Sequence, residues 1–514
     1  MENPHPSDTP VRTEAEQRAF HEGAMERALR AEAVSGAVVR HLELAGSRIA
    51  LSFAGGRLLP HFLPALSHLL AQPVDEPDLT IHLWDSESTG VEMTPPPCSR
   101  DCFTDRGDIW GMSSPRFKSA FHWIEFSVNL LDLETGQGTY WVKSDAALPY
   151  WAKASPLRTF FHWWMERRGA QLLHAAGVGT PEGAVLVTGK GGVGKSTTAL
   201  ACLDAGMGYV ADDYLVVSLD PEPAVHSLYC TAKLDPDQVE RFPALAPHVT
   251  HQGLEDDEKA VIQLLPDFGH QVRAGLPLRA IATPRFAHRP ETSFGPVDSH
   301  GLERAASFTT LSQLPHAGPS TQRFIRRLVK EVPGVTLELG TDLALLPEKI
   351  QELLAMDPAG IRELGRPARA PKVEERPLVS VVIPVYNGAH FLPSAIENIL
   401  SQGYPALEII VVDDGSQDEI AEVVESLPTD VRFFRRDNEG PAAARNYGIR
   451  DASGELIAFL DVDDLWPQEN LTVLVERMER NPDVDVIHGR AQVVRETASG
   501  ELEYLGNPAE AFPY

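Results

Sequence analysis

Residues 189–196 have the types and spacing of a loop that binds phosphate. They read Gly-Lys-Gly-Gly-Val-Gly-Lys-Ser and fit the pattern GxxxxGK[ST]. The apolar run over residues 184–188 has the length and β-branched content of a buried strand, and a helical stretch follows the loop. Glycines let backbone N–H groups turn toward phosphates, and the first turn of a helix adds positive potential there. The segment therefore predicts a site for the phosphates of a nucleotide.

The predicted nucleotide is ATP, bound together with Mg²⁺ or Mn²⁺. Lys195 is expected to reach the β- and γ-phosphates, and the Ser196 hydroxyl is expected to bind the cation. The predicted ATP-binding residues are Gly189, Lys190, Gly191, Gly192, Val193, Gly194, Lys195, Ser196 and Thr197.

Two carboxylates and a histidine flank this loop. The next apolar strand ends in Asp212 and Asp213, and His174 lies 15 positions before Gly189. Phosphoryl transfer needs charge neutralisation and an oriented acceptor hydroxyl. We therefore assign Asp213 to the cation together with Ser196, and Asp212 to the removal of the hydroxyl proton. His174 is the second predicted catalytic residue, because an imidazole near a carboxylate can tune or share its proton.

Two families of P-loop protein resemble this stretch. The string KGGVGKST is similar to the deviant Walker A ATPases of the plasmid-partition type, in which Lys190 would be the signature lysine. The HPr kinase-like family, whose fold is shared with phosphoenolpyruvate carboxykinases, has a His-bearing strand, a GxxGxGKS loop, a short helix and a strand ending in ADD. Residues 174–213 resemble that second pattern, including both spacings, and we favour it. The resemblance extends over about residues 165–355 and implies ATP-dependent phosphorylation of a hydroxyl.

The sequence departs from the HPr kinase-like family beyond residue 213. It lacks the second signature of that family, a Glu-Ile-Arg-Gly-type stretch, which puts HPr itself in doubt as the acceptor. A different protein, a peptide or a small hydroxyl compound stays open. Lys233 and Lys259 lie in strand-like surroundings and could face the phosphates. Because lysines are mostly exposed, we predict that both are surface charges.

A second set of apolar strands ends in carboxylates after residue 377. Strands and helices alternate over this part of the chain, which predicts a parallel Rossmann-like sheet with ligands at the carboxyl ends of the strands. Carboxylates at that edge suit a ribose and a divalent cation on a diphosphate. The residues at these strand ends are Asp413, Asp414, Asp461 and Asp463.

These pieces resemble the family 2 glycosyltransferases of the GT-A fold over about residues 378–490. The matching motifs are PVYNG, VVDDGS, GPAAARN and FLDVDD, which follow one another in the order of the family. The resemblance implies that Asp413 or Asp414 contacts the nucleoside base and that Arg445 lies near the base or the phosphates. It also implies a DxD motif with Mg²⁺ or Mn²⁺ nearest to Asp463. The expected residues for the nucleotide sugar are Pro384, Tyr386, Asp413, Asp414, Arg445 and Asp461, with Asp463 as the metal ligand.

The catalytic base of that family has no counterpart here. The family places it well beyond the DxD, in an Asp/Glu-rich motif of the acceptor half. Only fifty residues follow Asp464, and they contain no such motif. The module therefore resembles a donor-binding half that is C-terminally shortened, degenerate or completed by a partner.

Composition and charge exclude several classes of function. The net charge of −28 argues against a general binder of nucleic acid or of anionic membranes. No apolar run approaches the roughly 20 residues of a membrane span, and the first residues lack the apolar core of a signal peptide. Four cysteines do not make a disulfide framework in a chain of 514 residues, and the pair Cys98 and Cys102 lacks a second ligand pair for zinc. We expect a cytoplasmic protein.

The predicted fold class is α/β, in several domains. A strand-rich α+β region is expected at residues 1–150 and an HPr kinase-like P-loop domain at residues 151–355. Residues 356–377 are rich in Pro, Arg and Ala without apolar periodicity and are predicted to be a linker. A partial, Rossmann-like GT-A domain is expected at residues 378–514.

The chain is thus predicted to be a transferase in both modules. One module would phosphorylate a hydroxyl acceptor with ATP, and the other would transfer a sugar from a nucleotide sugar to an unknown protein, peptide or glycan. Two alternatives stay open. The chain could be an ATP-binding regulatory protein with a non-catalytic glycosyltransferase half, or a glycosyltransferase whose P-loop domain is a scaffold.

Overall fold

The chain divides into two compact units, residues 1–366 and residues 367–514. Residues 367–375, which belong to the predicted linker, lie outside the part of the chain that is described. The computed structural model describes residues 12–98, 102–104, 106–251, 258–287, 289–297, 299–366, 376–425, 427, 429–467, 469–481, 483–489, 493–496 and 502–506.

The first unit begins with a long helix that packs on a six-stranded sheet. The elements are α1 (Glu14–Ser35), β1 (Ala37–Leu44), β2 (Ser47–Ala54), α2 (Leu59–Leu66), β3 (Leu79–Asp85), α3 (Ser86–Thr89), β4 (Phe117–His122), β5 (Ser127–Asp132), β6 (Gln137–Val142), α4 (Tyr150–Ala154) and α5 (Arg158–Arg167). The strand order is β1-β2-β3-β6-β5-β4. Helix α1 starts at a capping box, in which the Thr13 hydroxyl accepts from the Glu16 N–H and the Glu16 carboxylate accepts from the Thr13 N–H.

The phosphate-loop part of this unit is built on a second, larger sheet. Its elements are β7 (Gln171–Thr180), β8 (Gly183–Thr188), α6 (Lys195–Asp204), β9 (Gly208–Ala211), β10 (Tyr214–Ser218), β11 (Ala224–Ser227), β12 (Thr231–Leu234), β13 (Val249–His251), β14 (Ala260–Gln263), β15 (Gly275–Phe286), β16 (Ser293–Gly295), α7 (Ser299–Gln313), α8 (Pro319–Glu331), β17 (Gly334–Leu339), α9 (Leu346–Ala355) and α10 (Pro358–Leu364). The strand order is β11-β10-β7-β8-β15-β17-β16, and β9 pairs with β7. Strand β8 is buried along its whole length, which agrees with its apolar sequence.

The two parts of the first unit share one hydrophobic core. Aromatic side chains of α5, Phe160 and Trp163 among them, pack with Leu51 of the first sheet and with Tyr214 of the second. Residues 12–366 therefore make up one compact unit, although they include both the strand-rich region and the P-loop region of the sequence analysis.

The second unit contains a parallel sheet with helices between its strands. The elements are β18 (Val379–Val385), α11 (Leu392–Ser401), β19 (Leu407–Asp413), α12 (Ile420–Glu425), β20 (Arg432–Arg435), α13 (Pro441–Asp451), β21 (Leu456–Phe459), α14 (Asn470–Arg480), β22 (Val493–Glu496) and β23 (Leu502–Gly506). The order of the four-stranded sheet is β20-β19-β18-β21, and all its pairings are parallel. The predicted mixed α/β fold with a Rossmann-like parallel sheet is thus what the structure contains.

Several elements differ from the prediction. Strands β4 and β17 were not expected, although β17 alternates apolar and polar residues and buries every second side chain. Helix α10 lies within the predicted linker. Its Ile361 is 1% exposed and joins the core of the first unit, and Leu364 packs against the same core, so a segment whose composition resembles a linker is attached to this unit.

Membrane helices, disulfide bonds and metal sites can be assessed for the described residues. No helix there is long and apolar enough to cross a membrane. The four cysteines are free, and no group of three or more His, Cys, Asp or Glu among the described residues is placed to hold a metal ion.

Replacing Ile361 with Ala should destabilise the first unit. Truncating a fully buried isoleucine typically costs roughly 2–5 kcal/mol, because apolar contacts are lost and a cavity is left. Urea denaturation of Ile361→Ala, compared with Glu363→Ala on the exposed side of the same helix, measures this effect. Equal midpoints for the two variants would mean that α10 contributes nothing to the core.

Candidate functional site

A large pocket opens in the first unit beside the phosphate loop. Its volume is about 1470 Å³, and both parts of the unit line it. The loop and the start of α6 form one wall, and residues 122–124 of the first sheet form part of another. The predicted site residues in the lining are Gly191, Gly192, Gly194, Lys195, Ser196, Thr197, His174, Asp212 and Asp213.

The loop between β8 and α6 has the backbone that its glycines allow. Gly194 has a φ of 102°, and a Cβ at this position would lie 2.4 Å from Leu339 Cδ1. Only glycine fits both the conformation and the space. The loop is therefore fixed against β17 at the point where α6 begins, and the first N–H groups of that helix border the pocket.

The Lys195 side chain folds back over this loop. Its Nζ donates to the carbonyl oxygens of Gly189 at 2.8 Å and Lys190 at 3.0 Å, and the residue is 6% exposed. Burial lowers the pKa of Lys195 to about 8, although Asp213 and Asp212 oppose this shift. An anion entering the loop would compensate the buried ammonium better than two carbonyl groups do.

Asp212 is a buried carboxylate with one oxygen unused. Its Oδ2 accepts from the backbone N–H of Lys233 at 2.8 Å, while its Oδ1 is buried without a hydrogen-bond partner among the described residues. Burial and the neighbouring charge of Asp213 raise the pKa of Asp212 to about 7, and the Ser196 side chain opposes this rise. Near neutral pH this carboxyl group can therefore both bind and release a proton.

Asp213 differs from its neighbour because it has three partners. Its carboxylate lies 2.5 Å from Lys233 Nζ and 3.1 Å from His174 Nε2, and it accepts from the Ser155 hydroxyl at 2.9 Å. Burial disfavours the charged form, but Lys233 and His174 hold the pKa of Asp213 well below its usual range. Burial lowers the pKa of His174 itself, so a neutral imidazole donates through Nε2 to the ionised Asp213.

The prediction for Lys233 as a surface charge is wrong. Its side chain is 12% exposed and points to Asp213, because two adjacent buried carboxylates need a cation nearby. No local pattern along β12 could have placed it, because the residues around it are buried and its partner Asp213 is distant in the sequence. Lys259 also lines the pocket but is more exposed, 3.8 Å from Asp235.

The second unit gathers its predicted residues at the carboxyl ends of its parallel strands. Asp413 is fully buried, accepts from the Ser416 N–H at 2.8 Å and lies 3.2 Å from Arg435 Nε. Asp414 accepts from the N–H groups of Glu439 at 3.0 Å and Gly440 at 2.8 Å. These two carboxylates thus shape the loops after β19 and before α13.

The remaining carboxylates of this edge are more exposed. Arg445 donates to Asp461, while Asp463 and Asp464 point to solvent in the turn after β21. Burial, Asp463 and Asp461 together raise the pKa of Asp464, so this turn concentrates negative charge. A divalent cation would relieve the repulsion, and because the described residues form no complete metal site, a diphosphate would have to supply further oxygens.

Pro384 and Tyr386 lie beside these carboxylates. Pro384 is buried within β18, and Tyr386 follows the strand with 51% of its surface exposed. An exposed aromatic ring next to buried strand ends is available for stacking on a planar ligand.

Comparison with known proteins concerns this second unit. Residues 380–509 match the family described as Glycosyl transferase family 2. They form a family 2 glycosyltransferase domain. The motifs PVYNG, VVDDGS and FLDVDD, on which the predicted resemblance rested, lie within the match. The match says nothing about the first unit, whose relation to the HPr kinase-like family stays a prediction.

Curated relatives of the chain are described as glycosyltransferases. An "uncharacterized glycosyltransferase" of Rickettsia felis is 47% identical over 105 residues, which are 20% of this chain and 17% of the relative. Another from Haemophilus influenzae is 37% identical over 141 residues, or 25% of this chain and 56% of the relative. The glycosyltransferase GlyG of Streptococcus pneumoniae is 39% identical over 116 residues, or 22% and 38%. The chain thus spans less than two thirds of each of these relatives.

Two solved structures share short stretches with the chain. A mannosyltransferase from Pyrobaculum calidifontis, in complex with GDP-Man and Mn²⁺, is 32% identical, with a TM-score of 0.19, over 22% of this chain and 35% of its own. S. aureus TarS in complex with UDP-GlcNAc is 28% identical, with a TM-score of 0.19, over 20% and 31%.

Replacing Asp212 with Asn should make the stability of the first unit less dependent on pH. The folded state holds a proton on Asp212 up to about pH 7, whereas the usual pKa is 3.8, so the folded state binds more protons in this interval. The wild type should therefore lose stability as the pH rises from about 4 to about 7, by roughly 4 kcal/mol at most.

Thermal unfolding without nucleotide tests this prediction between pH 5 and pH 8. The melting temperature of Asp212→Asn should exceed that of the wild type at pH 8, and the difference between the two should become smaller toward pH 5. Asp237→Asn, at an exposed aspartate of the pocket rim, is the control and should follow the wild type. A difference between Asp212→Asn and the wild type that does not change with pH would contradict the assignment.

Proposed function

We propose that the chain carries two nucleotide-dependent transferase sites, one in each unit. The second unit would transfer a sugar from a nucleotide sugar to an acceptor. The observation that carries this proposal is the family 2 glycosyltransferase match over residues 380–509, with Asp461 and Asp463 at the carboxyl edge of the parallel sheet.

In the glycosyltransferase domain, the donor would bind across that edge. Tyr386 would stack on the nucleoside, and Asp413 and Asp414 would orient the loops around the base. Arg445 would bind the phosphates after it breaks its contact with Asp461. Asp463, with Asp461, would hold the divalent cation on the diphosphate. A cation so placed would neutralise the leaving nucleoside diphosphate.

For the first unit we propose phosphoryl transfer from ATP to a hydroxyl group. This second function is favoured by a specific observation: one pocket contains a GxxxxGK[ST] loop, a buried lysine and a carboxylate with a free, buried oxygen. The N–H groups of residues 189–197 and the Lys195 ammonium would hold the β- and γ-phosphates.

Asp212 would act as the general base of this reaction. Its unpartnered Oδ1 can accept the proton of an acceptor hydroxyl, and a pKa of about 7 lets it do so at neutral pH. The backbone N–H of Lys233 would hold Asp212 in place, and His174 and the Lys233 ammonium would keep Asp213 ionised.

Mg²⁺ would enter this site with ATP. Ser196 and Asp213 are its proposed protein ligands, and the oxygens of the triphosphate would complete the shell. Ser196 lines the pocket, whereas Asp213 would have to share oxygens that Lys233, His174 and Ser155 now contact. The cation would neutralise the charge of the phosphates.

Replacing Lys195 with Gln should weaken ATP binding about tenfold or more. A charge-assisted hydrogen bond contributes roughly 1.5–3 kcal/mol, and 1.4 kcal/mol is a factor of ten in affinity. Fluorescence of a mant-labelled ATP with Mg²⁺ measures the dissociation constant. Lys349→Gln, at an exposed lysine paired with Glu352, is the matched control. An unchanged dissociation constant of mant-labelled ATP for Lys195→Gln would mean that the loop does not bind the nucleotide.

Replacing Asp463 with Asn should abolish metal-dependent hydrolysis of the donor by the glycosyltransferase domain. The loss should exceed about 100-fold, because the cation on the leaving diphosphate contributes several kcal/mol. Release of UDP, GDP or dTDP from a panel of nucleotide sugars with Mn²⁺ is the measurement. Asp483→Asn, at an exposed aspartate of the same unit, should keep the wild-type rate. A fully active Asp463→Asn would refute the metal assignment.

A further inference from the structure

Arg158 is a pocket arginine held between aromatic rings. It is the first residue of α5 and lines the pocket beside Asp213 and His174. Its Cζ lies 4.8 Å from the centre of the Trp151 ring and 5.8 Å from that of Tyr214. Stacking of this kind fixes the plane of a guanidinium while leaving its N–H donors available.

No acidic group neutralises this guanidinium at close range. Among the described residues, no carboxylate lies within 4.0 Å of Arg158 and no hydrogen bond from its side chain is present. The charges that act on it from farther away are Glu125 and Asp213. Asp213 is already engaged by Lys233 and His174, so it is not free to become the missing partner.

The position of Arg158 separates it from the phosphate loop. The segment before it is tied to β12 and to Asp213: the Thr231 hydroxyl donates to Ala154 O at 2.7 Å, and Ser155 donates to Asp213 at 2.9 Å. The residue after it, Thr159, hydrogen-bonds His122 of the first sheet at 3.0 Å. Arg158 therefore lies between the carboxylate cluster and the first sheet, whereas Lys195 lies over the loop on α6.

We propose that Arg158 binds an anionic group, a carboxylate or a phosphate, on the acceptor whose hydroxyl receives the phosphoryl group. This inference rests on the phosphoryl transfer proposed above. The guanidinium is stacked between two rings in a pocket and makes no ion pair or hydrogen bond with the described residues, so its N–H donors are available to an anion that a ligand supplies. Its planar fork suits the two oxygens of a carboxylate or a phosphate.

Apolar side chains lie on the same side of the pocket. Trp123 and Ile124 line the same pocket and are partly exposed, at 38% and 74%. An acceptor that fills this side would thus present an apolar body next to its anionic group. The positive charge of Arg158 would orient the hydroxyl toward Asp212 rather than take part in the proton transfer.

Isothermal titration calorimetry with small anions tests the proposal on protein whose proposed ATP site is occupied. The protein is saturated with Mg²⁺ and AMP-PNP, which occupies the loop, and is then titrated with inorganic phosphate or with acetate. The wild type should bind at least one of the two anions, and Arg158→Gln should bind it at least tenfold more weakly. Stronger binding of phosphate or of acetate identifies which of the two anionic groups the acceptor carries.

The matched control is Arg168→Gln, at the other end of α5. Arg168 also lies over a tryptophan, 5.9 Å from the Trp164 ring, but it is exposed and outside the pocket. It should bind the anions like the wild type. Arg158→Lys, which keeps the charge but loses the fork, should retain part of the binding, and this variant guards against misfolding of Arg158→Gln.

Three results would overturn the proposal. The first is anion binding by Arg158→Gln equal to that of the wild type, and the second is no anion binding by the wild type. The third is anion binding that AMP-PNP abolishes, which would assign Arg158 to the phosphates of ATP. If AMP-PNP itself does not bind, the phosphoryl transfer fails separately, and anion titration without nucleotide still tests Arg158.

Discussion

Burial of two adjacent carboxylates is the constraint on which the pocket of the first unit depends. Asp212 and Asp213 follow β9; Asp212 is buried and only 19% of the Asp213 side chain is exposed, which is unfavourable for their charges unless cations or hydrogen-bond donors compensate them. Lys233 from β12 and His174 from β7 compensate Asp213, so three separate strands must meet at one point. Asp212 is compensated less well. Its pKa is raised, and its Oδ1 has no hydrogen-bond partner among the described residues. The same constraint therefore brings the three strands together and creates the carboxyl group that we propose as the general base.

The second unit uses carboxylates in another way. Asp413 and Asp414 are satisfied by backbone N–H groups and by Arg435, so they shape loops, and the charge is concentrated in the exposed turn at Asp463. A site of this kind gains its charge balance when a cation and a diphosphate arrive together. The first unit instead has lysines built into the pocket, so the two phosphate sites that we propose for this strongly acidic chain differ in construction.

Local sequence predicted the parts of each site that lie close together in the chain. The strand, loop and helix around Lys195 and the strand ends at Asp212 and Asp413 could be predicted because apolar runs and glycine spacing determine them. Lys233 and Arg158 could not be placed, because each depends on partners that are distant in sequence. Helix α10 was missed for the opposite reason: its composition resembles a linker, but Ile361 is buried in the core and Leu364 packs against it.

The central claim is that the chain has two independent nucleotide sites, and calorimetry of the full chain tests it most directly. The protein is titrated with AMP-PNP and Mg²⁺, and the saturated protein is then titrated with UDP, GDP or dTDP in the presence of Mn²⁺. We predict one AMP-PNP per chain and, for one of the three diphosphates, one further molecule per chain, with each affinity unchanged by the other ligand. Displacement of AMP-PNP by the diphosphate, or a total of one nucleotide per chain, would contradict the account.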